Sequence, residues 1–327
     1  MSERPTTADS LEARRAKVVQ AAEAEGKSEP KPSEIDVWPL VVKHNIRNDD
    51  DRTDAVDKLI RVARDSCSPA FVKYLFKIEA KLPSLIEQVW RWETVDDRLL
   101  MSERSREEAL YHAFRSDCVC GGVWPQHVAH ALLANRIDFA SLGHDIYRSL
   151  LAGRSESTPV VTLAGLQGGE GKSLIFYPMD AVFGDRFVHH HVAAGTFALL
   201  GLEGKRVVVL DEWDFRAHMA MGLQLLWFEG KPVPITRPQD HFCGHVLYKG
   251  SAPIFVTMPL RKLEAFFAEA EAAKRAGTSS EATMLLRRLN IYRFTQPVKK
   301  PSAQIPKCAH CFASFLFQSE HEYQSRA

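Results

Sequence analysis

The chain has 327 residues, 45% hydrophobic and 25% charged, with a formal net charge of +1. This is the composition of a globular chain with room for one large or two ordinary domains. It excludes a globally basic nucleic-acid binder, so any contact with DNA must be local. No apolar run approaches the roughly 18 residues of a membrane span, and the N-terminal MSERPTTADSLEARRAK lacks the apolar segment of a secretory signal. A soluble, intracellular protein without membrane contact is expected. Its six cysteines, Cys67, Cys118, Cys120, Cys243, Cys308 and Cys311, are scattered unlike a disulfide framework and are expected to be reduced.

Residues 1–34 are polar, charged and Ala-rich, broken by Pro30 and Pro32, and predict a disordered tail. Residues 35–152 predict an all-helical module. Val56, Leu59, Ile60 and Ala63 form one helical face, and further helices are predicted over 70–80, 84–92, 105–115 and 125–134. Asp138 is a good N-cap for the last helix, whose face is Phe139, Leu142, Ile146 and Leu150. Trp90, Trp92 and Phe114 are expected in the module's core. From Thr158 the pattern changes to short apolar runs bounded by Gly and Pro: VVTLAG, RVVVLDEW and APIFVTM. These read as buried strands of a parallel sheet. The expected fold is thus an α/β domain over 153–300 with a parallel central sheet, followed by a C-terminal tail over 301–327.

Val160 to Ser173 read as a strand, a Gly-rich turn and a helix start, the order phosphate binding needs, with free backbone N–H groups facing an anion. Gly165, Gly168, Gly169 and Gly171 would let the backbone approach. Lys172 would neutralise the β- and γ-phosphates of ATP, and the Ser173 hydroxyl would ligate Mg²⁺. Leu166 stands where the usual first Gly belongs, so the loop is one residue long. Pro178 predicts a kink or early end of the following helix. The strand Arg206 to Leu210 ends in Asp211 and Glu212. Asp211 would hold the metal, and Glu212 would orient and activate water.

These residues resemble the superfamily 3 helicases of small DNA viruses, such as parvovirus nonstructural proteins, and related mobile-element proteins. The resemblance covers roughly 138–298 and implies an AAA+-like fold, a DNA helicase motor acting in DNA replication, and a homo-oligomeric ring. Phe228 to Ile235, running on through Lys249 to Thr257, looks like the family's basic hairpin region and sensor strand. Lys231, Arg237, His241 and Lys249 become candidates for contacts with a single-stranded DNA backbone. Met284 to Phe294 looks like the segment that carries the arginine finger, with Arg288 the first candidate and Arg287 the second. The sensor strand departs from the family: Pro259 stands where an Asn is usual, and Thr257 is the candidate substitute. No N-terminal nuclease arrangement is seen before residue 138.

Two other readings compete. One is a degenerate P-loop domain that binds nucleotide, or only assembles, without turnover. The other is a partition-type ATPase, whose signature Lys is Gln167 here. His189, His190 and His191 alternate sides on an extended segment and predict a polar run rather than a metal site. Cys308-Ala309-His310-Cys311 has the spacing of half a zinc site, to which Cys118 and Cys120 or His321 contribute only if the fold brings them close; zinc is not expected.

Overall fold

The computed structural model describes residues 31–48, 52–166, 168–190, 199–235, 246–298 and 304–326. Gln167, His191, Arg237, His241 and Cys243, and nearly all of the expected N-terminal tail, lie outside the described residues. The chain divides into two compact units, residues 1–100 and 101–327.

The first unit is helical: α1 (Val37–Lys43), α2 (Arg52–Ser66), α3 (Pro69–Lys77) and α4 (Leu82–Glu93), with α5 (Val95–Glu103) beginning at its end. Ser68 caps α3 by accepting from Phe71 N–H, with Pro69 at the first helical position, where its missing N–H costs nothing. The predicted face of α2 is buried: Leu59 and Ala63 have no exposed surface and pack with Val41, Leu75 and Ile86. Trp90 packs against this core and donates its indole N–H to Ile46 O at 2.7 Å. Trp92, expected in the core, is instead 65% exposed. The helix turns Trp92 away because Leu82, Ile86 and Val89 set the buried stripe of α4.

The second unit is α/β. Its helices α6 (Arg106–Phe114), α7 (Val123–Ala134) and α8 (Phe139–Ala152) precede β1 (Val160–Gly165). Then follow α9 (Lys172–Phe176), α10 (Met179–Phe183), β2 (Val188–His190), β3 (Val207–Leu210), α11 (Met221–Phe228), β4 (Val233–Ile235) and β5 (Val246–Tyr248). The remainder is β6 (Ile254–Pro259), α12 (Leu260–Arg275), α13 (Glu281–Leu286), β7 (Leu289–Phe294) and α14 (Ala309–Arg326). Five strands form a parallel sheet in the order β2-β3-β6-β1-β7, so the loops after β1, β3 and β6 leave from one edge. Side chains alternate between two cores. Val161, Leu163, Val207, Val209 and Phe255 face α6–α10 and α14, whereas Ala164, Val208, Leu210, Val256 and Met258 face α11–α13. Burial on both faces explains the unbroken apolar runs.

Three expectations change. The helices over 106–152 belong with the sheet rather than with residues 35–100. Residues 301–327, expected as a tail, contain α14, whose Phe312, Phe315 and Leu316 are buried in the core. Phe315 packs edge-on against Phe139 at 4.7 Å, and Phe312 against Trp124 at 5.9 Å. Phe114, expected in the core, is 43% exposed and stacks on His310 of α14. No helix among the described residues is long and apolar enough to cross a membrane.

Candidate functional site

The glycine-rich loop joins the C-terminal end of β1 to α9. Gly168, Gly169 and Gly171 all have positive φ, at 88°, 80° and 86°, a conformation that strains any side chain. Gly165 is required for a different reason. A Cβ there would lie 2.0 Å from Lys172 Nζ and 2.8 Å from its Cδ, so the lysine side chain crosses the bare backbone at the end of β1. Lys172 is 6% exposed and pairs with Glu170 at 3.0 Å. Glu170, itself 1% exposed, also accepts Gly168 N–H at 2.9 Å. A carboxylate of the loop therefore sits on the ammonium and a backbone N–H that an incoming anion would use. α9 ends at Phe176, and Pro178 caps α10, so the helix stops early as Pro178 predicts.

The sheet register assembles the remaining polar groups. Leu210 of β3 pairs with Val256 of β6, and Leu163 of β1 pairs with Thr257, which places Asp211 beside Thr257 just past the end of β3. Asp211 Oδ1 accepts from Ser173 Oγ at 2.8 Å and from Thr257 Oγ1 at 2.5 Å. Thr257 Oγ1 in turn accepts Glu212 N–H at 3.0 Å, and Thr257 O accepts Trp213 N–H at 2.8 Å. The first turn of α9, the end of β6 and the loop after β3 thus meet on one carboxylate oxygen. Glu212 has φ 51°, an uncommon conformation for a residue with a side chain; it breaks the line of β3 and leaves its carboxylate exposed. Pro259 pairs with Gly165 and leads into α12.

The other candidates lie elsewhere. Leu289 pairs with Val160 and Phe294 with Gly165, so Arg287 and Arg288 sit at the opposite edge of the sheet from the glycine-rich loop. Arg288 forms an ion pair with Glu229 and donates to Met284 O, whereas Arg287 is exposed. Glu229 also pairs with Lys231 at 2.7 Å. Lys231 and Lys249 flank the base of an antiparallel hairpin in which Val233 pairs with Tyr248. Arg154, which sequence reasoning missed, anchors that base. It is 6% exposed, donates to Gly250 O, Trp227 O and Lys231 O, and lies 5.0 Å from the Tyr248 ring. Among the three histidines, His190 bonds Asp180 at 2.6 Å and His189 is buried.

No family model matches the chain, and no curated protein matches it. Among solved structures, the NrS-1 C-terminal region is 15% identical with a TM-score of 0.35, covering 60% of this chain and 43% of its own. This chain thus spans less than half of that solved region's length. The JCV helicase with a bound thiazolopyridine compound is 12% identical with a TM-score of 0.35, covering 91% of this chain and 94% of its own. A second structure of the JCV helicase scores 0.34 over the same spans.

Proposed function

We propose that the second unit binds ATP with Mg²⁺ at Gly165 to Ser173 and hydrolyses it as a DNA helicase-like motor of the superfamily 3 type. The observation that carries the reading is the meeting of Ser173 and Thr257 on Asp211 Oδ1, beside a lysine that crosses Gly165. A hydroxyl in the first turn of α9 and a carboxylate just past β3 are hard oxygen donors of the kind Mg²⁺ takes, and Ser173 and Asp211 would hold it. When bound, Mg²⁺ supplies neutralisation of phosphate charge. Lys172 and the backbone N–H groups of the loop hold the phosphates; α9 has only five residues, so its dipole adds little. Thr257 positions Asp211 and the backbone of Glu212, and Glu212 orients water. Arg287 is the finger candidate favoured by exposure, because Arg288 is committed to Glu229.

A second reading, nucleotide binding without turnover, is favoured by one observation: Glu170 already satisfies Lys172. ATP binding is measured for the full chain with Mg²⁺, and hydrolysis with and without single-stranded DNA. Binding that survives Lys172→Ala, in a variant folded by circular dichroism, sinks the site assignment. Binding with no hydrolysis above a Glu212→Gln background sinks the motor and leaves the second reading.

A further inference from the structure

We propose that Cys118, Cys120, Cys308 and Cys311 form a closed, four-thiolate site for a single zinc ion. Sequence spacing offered only half a site. The fold supplies the other half by joining segments 190 residues apart. The four sulfurs all lie within 4.8 Å of one another. Cys118 Sγ is 3.4 Å from Cys311, 3.8 Å from Cys120 and 3.9 Å from Cys308, and Cys120 is 3.5 Å from Cys311. Four ligands about 2.3 Å from a tetrahedral zinc ion stand about 3.8 Å apart, so the cage has the size of one ion. These separations are far beyond a disulfide bond of about 2.05 Å, and the cysteines are free. A multi-iron cluster inserts several irons and sulfides between its cysteines, for which this cage has no room.

The surrounding backbone is shaped for the purpose. Cys118 and Cys120 occupy the loop between α6 and α7. Gly121 and Gly122 follow at φ 56° and 79° and turn the chain back. Cys308 and Cys311 lie three residues apart at the start of α14, so both face the same way. His310 between them points elsewhere, its Nδ1 2.9 Å from Phe114 O, which makes the site all-thiolate. Cys120, Cys308 and Cys311 are buried, and four protein ligands leave no open position, so the ion is structural. It fastens α14 to the loop leading into α7. Soft thiolates in a tetrahedron select zinc or a single iron, and the two differ in colour.

The test is the full chain, purified without chelator, with its metals measured by mass spectrometry. The expected result is one zinc per chain in a colourless protein, retained in Cys67→Ser and lost in the double variant Cys118→Ser/Cys311→Ser. Should the double variant fail to fold, wild-type protein stripped by a chelator is titrated with Co²⁺. Intense visible bands of a tetrahedral four-thiolate site, bleached by added zinc, then carry the assignment. A metal-free protein with no cobalt bands overturns the proposal. So does zinc retained at full stoichiometry by the double variant, or a coloured protein loaded with iron.

Discussion

Glu170 accepts from Gly168 N–H and Lys172 Nζ at 2.9 and 3.0 Å, two donors that a phosphate in the proposed site would use. A nucleotide must displace this carboxylate. Glu170→Gln keeps the shape and removes the charge, and is expected to tighten ATP binding by up to about tenfold, ~1.4 kcal/mol. Calorimetric titration with Mg²⁺-ATP checks it; unchanged or weaker affinity means that Glu170 does not compete. Gly165→Ala does the opposite. Its Cβ lands on the flexible end of Lys172, so the lysine moves while the strand stays. The expected outcome is a loss of at least about tenfold in ATP affinity with the melting temperature nearly unchanged. Thr257 separates binding from turnover: Thr257→Val leaves Asp211 and Glu212 N–H short of a partner, at a cost of about 1–3 kcal/mol. Hydrolysis is expected to fall with nucleotide binding retained, and Thr257→Ser to restore it. Equal loss in the two variants points to packing of the methyl group instead.

At the scale of elements, what the sequence made legible and what it hid have separate physical causes. The strands β1, β3 and β6 announce themselves because they are buried on both faces, and Asp138 does cap α8, accepting Ser141 N–H at 2.8 Å. The Asp138 carboxyl is held below the usual range by the Ser141 backbone, the Ser141 hydroxyl and Arg326. A depressed carboxyl stabilises the fold above its unfolded pKa, and that contribution disappears as pH falls through the lower folded value. Asp138→Asn is therefore expected to flatten the acid limb of the stability profile below about pH 4, as followed by thermal melts. An unchanged acid limb shows that other carboxylates dominate. The helix α14 carried a readable stripe, Cys311, Phe312, Phe315, Leu316 and Ser319, that a tail assignment passed over. Its docking was not readable, because it depends on the absence of a Cβ at Gly143, where one would lie 2.1 Å from Ser319 Oγ. Ser319 is fully buried and bonded to Phe139 O, so it has nowhere to go. Gly143→Ala should destabilise by about 1–3 kcal/mol, measured by urea unfolding. Likewise the contact of Ser173 and Thr257 with Asp211 follows from strand order and register, which no local pattern of residues encodes.

At the scale of the whole molecule, the sheet itself decides how Arg287 can act. Val160 pairs with Leu289 and Gly165 with Phe294, so five residue steps of about 3.3 Å put Leu289 ~16 Å from the glycine-rich loop along the strands, and Arg287 lies two residues beyond it. A guanidinium there cannot reach a phosphate held by Lys172 of its own chain. As the proposed finger it can serve only a neighbouring copy, through a heterologous interface. Two inactive variants then complement each other. Lys172→Ala keeps its arginine and loses its own site, and Arg287→Ala keeps its site and loses the finger. In a random equal mixture about a quarter of the interfaces pair an intact site with an intact finger. ATP hydrolysis should reappear on mixing, at a concentration where sedimentation shows oligomers with Mg²⁺-ATP. If the mixture stays inactive while the oligomers form and exchange, Arg287 is not the finger. If Arg287→Ala alone retains full hydrolysis, charge stabilisation from a neighbour is not part of the reaction. Arg288→Ala is the control: it strips Glu229 of a partner inside the fold, and its effect should appear as lowered thermal stability that mixing does not repair.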